Sequence, residues 1–207
     1  MHCLRCGEKA EGKFCPRCGS PLTVVAGRGI KSCDWHEEVR YGELMKIFEV
    51  RDLIRRHAGL SKGGMSAGAF LCLCDRALVS QAAAVPEKVN GVARSILERL
   101  GLKTEIIQSR HYPFPPGKTL VALLCSMARH GQKVRRVSQG EDGCVLEASL
   151  PSGLWSFEGD LFVSLHREGE GTSVEAATLI NGYSLTKGKR RRCLKELLED
   201  LEITSVA

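Results

Sequence analysis

From Pro86 onward the apolar positions fall into clear periods. Val89, Val92, Ala93, Ile96, Leu97 and Leu100 recur at i, i+3, i+4, i+7, i+8 and i+11, one stripe of a helix that opens on a proline and stops at Gly101. A strand is expected over Lys103–Ser109, then a proline-rich bend over His111–Gly117. The next helix, Thr119–His130, is apolar on most sides, which predicts a central position, and Gly131 ends it. Four strand-like runs follow, near Val134–Ser138, Cys144–Leu150, Asp160–His166 and Ser173–Ile180. Gly140-Glu141-Asp142-Gly143 and Glu168-Gly169-Glu170-Gly171 separate them as hairpin turns. A last helix, about Lys189–Leu201, would bury Cys193, Leu194, Leu197, Leu198 and Leu201.

Earlier in the chain the pattern is less regular. Asp34 followed by Glu37 has the shape of a capping box, and a long helix is expected from there to Ala58 with Leu44, Ile47, Phe48 and Ile54 on its apolar stripe and Gly59 as its stop. Gly63–Gly68 reads as a turn-rich break, and the small-residue runs Ala69–Cys74 and Ala77–Val85 read as strands. The domain division is therefore 1–22, a linker 23–33, a helix with a Gly/Ala-rich segment over 34–85, and an α+β domain over 86–207. From Lys103 the order β-α-β-β-β-β-α predicts an antiparallel sheet with helices on one face. It resembles, in topology alone, one repeat of the TATA-binding-protein-like fold, or the latter part of a helix-grip domain. Gly101 and Gly131 each lead from a helix to a strand through a lysine, Lys103 or Lys133, a short echo that does not establish duplication.

The first 22 residues carry a different signal. Cys3-x2-Cys6-Gly7 and Cys15-x2-Cys18-Gly19 are two knuckles in which a tight turn aims two thiolates at one ion. Together they supply the tetrahedral four-sulfur shell that Zn2+ prefers. The segment, with Phe14 before its second knuckle, resembles the zinc-ribbon module found at the N-terminus of many bacterial and archaeal proteins. The resemblance implies one structural zinc held by Cys3, Cys6, Cys15 and Cys18, in a closed shell with no open position for chemistry.

Bulk properties narrow the rest. The chain has 207 residues, 43% of them apolar, enough for one ordinary core beside a small metal-stapled unit. Met1-His2-Cys3 leads straight into the first knuckle, so the ten cysteines are read as those of a reducing cytoplasm rather than of a secreted disulfide scaffold. The longest stretch without charge, Gly63–Cys74, is 12 residues, short of the ~20 that span a bilayer. The net charge of +6 is unevenly placed: residues 76–140 hold eleven Lys/Arg against three Asp/Glu, and residues 141–207 hold seven against twelve. A basic face for nucleic acid or another polyanion, or ordinary solubilising charge, both fit that imbalance.

Enzyme constellations find little support. Cys33, His36, Cys72 and Cys74 are a chemically adequate second ligand set, yet buried thiols and helix capping explain them as well, and no second tightly bound ion is expected. A nucleophilic cysteine needs a partner, and nothing in the spacing selects among His57, His111, His130 and His166. Cys125 and Cys193 sit among core positions. Lys62-Gly63-Gly64 and Gly64-x3-Gly68 lack the Gly-Lys-Ser/Thr of a phosphate loop. Glu37-Glu38 and Glu141-Asp142 have structural explanations at a helix start and a turn.

One run stands out. Lys187, Lys189, Arg190, Arg191 and Arg192 stand at the start of the last helix and Glu199, Asp200 and Glu202 at its end, both opposite to what the helix dipole favours. Three explanations are open: pairing with the acidic hairpin residues Glu158, Asp160, Glu168 and Glu170, a solvated loop preceding the helix, or an external polyanion. Aromatic residues are only 5%, with Tyr112, Phe114 and Tyr183 scattered, so phosphate contact is favoured over base stacking. The expectation is a zinc-binding, non-enzymatic interaction or adaptor protein of a protein or nucleic-acid-containing assembly, with Arg5 and Arg17 on the knuckles as further contacts. A small-ligand or lipid-binding domain with an apolar pocket is the alternative, and a cysteine- or metal-dependent enzyme comes last.

Overall fold

The computed structural model describes Arg17 and residues 34–61, 65–79, 106–150, 159–180 and 187–204. The alternating runs of the second half pair into one antiparallel sheet. Its strands are β1 (Ile106–Tyr112), β2 (Lys133–Gln139), β3 (Gly143–Leu150), β4 (Gly159–Glu168) and β5 (Gly171–Ile180), in the order β1-β5-β4-β3-β2. The architecture is α+β, as the sequence predicts. Glu168 pairs with Gly171 across a two-residue hairpin, and the positive φ of Gly169 at its first position suits the turn to the twist of the strands.

Alternation decides which face is covered. Leu161, Val163 and Leu165 of β4 align with Ala148, Leu146 and Cys144 of β3 and, on the other side, Val163 and Leu165 align with Ala176 and Val174 of β5. All are buried in one apolar core. The described helices pack on that face: α1 (Tyr41–Leu44), α2 (Phe48–Gly59), α3 (Ala67–Val79), α4 (Pro116–Arg129) and α5 (Lys187–Thr204). α4 lies between the sheet and α2 and α5, which is why Thr119 through Ala128 are buried without a solvent side. It ends in two backbone bonds, Gln132 N to Met127 O at 3.0 Å and Gly131 N to Ala128 O at 3.3 Å. That closure needs a left-handed residue, supplied by Gly131 at φ 67°. Burial is continuous from Tyr41 to Leu201, so residues 41–77 share a core with the sheet.

Three expectations are corrected. The single helix over Asp34–Ala58 is a 3-10 turn (Asp34–Glu37), α1 and α2. Polar bonds from elsewhere take the backbone groups that a continuous helix would use. Glu38 accepts from the backbone N of Arg40 at 2.9 Å and from its guanidinium at 2.8 and 2.7 Å. Gln139 of β2 accepts from Tyr41 N at 2.9 Å and donates to Val39 O at 3.2 Å.

The strands expected over 69–74 and 77–85 are instead α3 as far as Val79; residues 80–85 lie outside the described set. Ala and Leu favour helix, and Phe70, Leu71, Cys74 and Ala77 form a buried i, i+1, i+4, i+7 stripe. Ser66 Oγ accepts from Ala69 N at 3.2 Å and fixes its first turn. Across the contact with α2, buried Arg51 donates to Asp75 at 2.7 and 3.2 Å.

β1 reaches Tyr112, further than the strand expected over 103–109, because Tyr112 is drawn inward: its hydroxyl donates to Leu198 O at 2.8 Å. The ribbon over 1–22 except Arg17, the linker over 23–33 and the helix expected over 86–100 lie outside the described residues. No described helix is long and apolar enough to cross a membrane.

Candidate functional site

Cys3, Cys6, Cys15 and Cys18 lie outside the described residues, with Arg17 of the second knuckle in an exposed turn. Their fit to zinc rests on donor chemistry: four thiols in two chelating pairs. Cys33 also lies outside. His36 is in the 3-10 turn with its ring centroid 4.2 Å from that of Trp35. Cys72 and Cys74 stand on α3, where positions two apart are turned by about 200° and cannot face one ion together. Among the described residues no group of three or more His, Cys, Asp or Glu is placed to hold a metal.

Cys74, Cys125 and Cys144 are buried core thiols, and Cys72 and Cys193 are half-buried. Burial pushes Cys74, Cys125 and Cys144 up to about 12 and raises Cys193 as well. A nucleophilic cysteine is shifted the opposite way. Of the histidines, His111 lies 3.4 Å from Glu168 at the surface, and His57 and His130 enter a junction of helix ends. Glu37, Glu141 and Asp142 also find structural places: Glu37 accepts from Arg167 at 2.8 Å, and Asp142 O from Arg167 N at 2.8 Å, with Glu141 beside it in the turn between β2 and β3.

α5 explains half of its inverted charge. Asp200 accepts from Ser126 at 3.0 Å, from Arg129 at 3.3 Å and from His130 at 3.0 Å, all from the end of α4. Glu202 accepts from Arg110 of β1 at 2.9 Å. Asp200 and Glu202 are thus held by cations of neighbouring elements, which offset the dipole, and Glu199 lies 3.6 Å from Lys195 on its own helix.

The basic end differs. Lys187–Arg190 already belong to the helix, so the run is not a loop before it. Of the hairpin acids, Asp160 binds Arg135 and Glu168 faces His111, while Glu158 lies outside the described residues. Arg192 donates to Glu196 on its own helix at 2.7 Å and remains 80% exposed. Arg191 is exposed and has no carboxylate partner among the described residues.

The junction around Asp200 was not singled out by sequence reasoning. Its signal was the acid placed against the dipole. A carboxylate only accepts, so His130 donates through Nε2. Arg129 also donates to His57 Nδ1 of α2 at 3.1 Å. A guanidinium only donates, so His57 is neutral with its proton on Nε2. Burial, and then the charges of Arg129 and Arg56, lower its pKa against the opposing pull of Asp200. A histidine held below its ordinary value near 6.5 binds fewer protons folded than unfolded, so stability falls as pH drops through that value toward the lowered one. Chemical denaturation between pH 7 and 5 is expected to show this loss, and His57→Gln to flatten the histidine-dependent part of the slope. An unchanged slope in that variant would remove the assignment. The junction therefore ties three helix ends together. No protein family, curated protein or solved structure matches this chain.

Proposed function

We propose that the protein is a zinc-binding, non-catalytic adaptor that engages a polyanionic assembly through the basic start of α5. The observation that carries this reading is the placement of the Lys187–Arg192 run within α5, where Arg191 has no carboxylate partner among the described residues and Arg192 stays 80% exposed, while Asp200 and Glu202 near the other end are held by neighbouring cations. Raised pKa values argue against Cys74, Cys125 and Cys144 as nucleophiles. The burial of α4 beside the sheet argues against a helix-grip pocket there. The doubled knuckle would hold the structural ion, with Arg5 and Arg17 as secondary contacts.

Arg190→Ala, Arg191→Ala and Arg192→Ala together are expected to weaken retention on a polyanion matrix. Wild-type retention should fall steeply with salt. The melting temperature should hold or rise slightly, because three cations leave an unfavourable helix end and the pair lost among the described residues, Arg192–Glu196, is exposed. A variant that melts lower and binds as before would overturn the reading.

A further inference from the structure

The side of the sheet turned away from the helices is buried as well. Along β3, β4 and β5 the core residues Leu146, Val163 and Ala176 alternate with Val145, Phe162 and Ala177, which therefore point the other way. Phe162 stands between Glu147 and Ala177, and Val145 faces Ser164 in the next row. Phe162 is 5% and Val145 4% exposed, and Ser164 and Ala177 are fully buried. None of the three apolar residues belongs to the core in which α1 to α5 all bury their apolar sides. Glu147, Asp160, Ser164 and Ala177 are too short to wrap a phenyl ring on a bare sheet, so the cover comes from elsewhere in the chain.

The path of the chain identifies it. α3 packs on β2, and β2 and β1 are opposite edges of the sheet. Residues 80–105 lead from the end of α3 to the start of β1, a passage of ~19 Å across four strand spacings. The helix side is occupied by α4, with α2 and α5 against it. Residues 86–100 carry the apolar stripe Val89, Val92, Ala93, Ile96, Leu97 and Leu100. As a helix those 15 residues are ~22 Å long, the width of the sheet. Residues 80–85 and 101–105 reach up to ~17–20 Å each, enough to turn round its edges.

We propose that residues 86–100 dock as an amphipathic helix across the outer face of the sheet, with their apolar stripe on the patch centred at Phe162. Glu87, Lys88, Arg94 and Glu98 then form its solvent side. Other segments fit less well. Residues 151–158, folded back from the end of β3, reach ~13 Å, whereas Val145 lies ~17 Å inside Leu150. Residues 1–33 enter at Asp34, beside Trp35, which packs on the helix-side core.

Hydroxyl-radical footprinting of the full chain tests this, read at Phe162, at exposed Phe48 and at Phe70 of the helix-side core. Wild-type Phe162 should be as protected as Phe70. Ile96→Asp puts a charge in the stripe and should raise labelling of Phe162 several-fold, toward the Phe48 level, with Phe70 unchanged. Arg94→Asp, on the solvent side, should change neither. If Ile96→Asp also exposes Phe70 it has unfolded, and a double-mutant cycle of Ile96→Ala with Phe162→Ala decides. A coupling of about threefold or more in the unfolding constant supports the docking, and additivity overturns it. Wild-type Phe162 labelled as fast as Phe48 would mean an open face. Exposure of Phe162 by Trp155→Ser but not by Ile96→Asp would assign the cover to residues 151–158, and protection lost on dilution would assign it to a second copy. Each of these three results would overturn the proposal.

Discussion

Elemental analysis of the purified protein is expected to give one zinc per chain, and its removal to leave the first 22 residues without a fold. A segment of that length has too little apolar area to stabilise itself. Metal binding and folding are then one equilibrium, worth on the order of 10 kcal/mol. Cys15→Ser removes one of four thiolates and should open the segment to protease. The continuous core begins at Tyr41 and runs to Leu201, so the melting of the rest should change little. Cys72→Ser should leave the zinc count at one, because Cys72 and Cys74 diverge on α3. Much less than one zinc after gentle purification would overturn the ribbon assignment. A count near two that falls to one in Cys72→Ser would reinstate the second site.

The sequence was most legible where one local signal agreed with one tertiary role. Strands β2–β5 alternate, with glycine turns between β2 and β3 and between β4 and β5, and α4 reads as central because its helical pattern is apolar nearly all round. It was least legible where a local rule competed with a distant partner. Asp34 and Glu37 look like a capping box, but Glu37 is engaged by Arg167, 130 residues away, and Gln139 interrupts the expected helix from 98 residues away. The run Ala69–Cys74 was ambiguous for a different reason. Six small or apolar residues fit either period, and only the Phe70, Leu71, Cys74 and Ala77 stripe with the preceding Ser66 cap settles the matter.

The same logic governed the charges of α5. Charge order along the helix revealed a conflict with the dipole. It could not reveal that Arg129, His130 and Arg110 resolve the conflict at one end. Nor could it show that a bulge in Lys133–Gln139 exposes two adjacent arginines. The cations and acids were visible, but their pairing depended on contacts 70 to 92 residues apart in sequence.

Removing either of two acids near the end of α5 should therefore have unlike effects. By the dipole alone, Asp200→Ala and Glu202→Ala would each stabilise by ~0.3–1 kcal/mol. Glu202 is 59% exposed against Arg110, and an exposed pair is worth ~0–1 kcal/mol, so the two effects nearly cancel and its melting temperature should scarcely move. Asp200 is only 15% exposed and is shared by Ser126, Arg129 and His130. Its removal leaves the Ser126 hydroxyl without its acceptor in the core and the Arg129 guanidinium without its nearest carboxylate. Breaking a fully buried pair costs ~3–5 kcal/mol; because Arg129 and His130 are about one-third exposed, about 2–3 kcal/mol is the better expectation after screening. For a chain of this size that is a fall of about 4–12 °C in melting temperature. Because Asp200 pulls the His57 pKa upward, its loss should steepen rather than weaken the pH dependence described above. A double-mutant cycle with Arg129→Ala should give a coupling of ~1 kcal/mol or more between the two positions. Equal, near-zero shifts for Asp200→Ala and Glu202→Ala would show that the junction does not hold the three helix ends together.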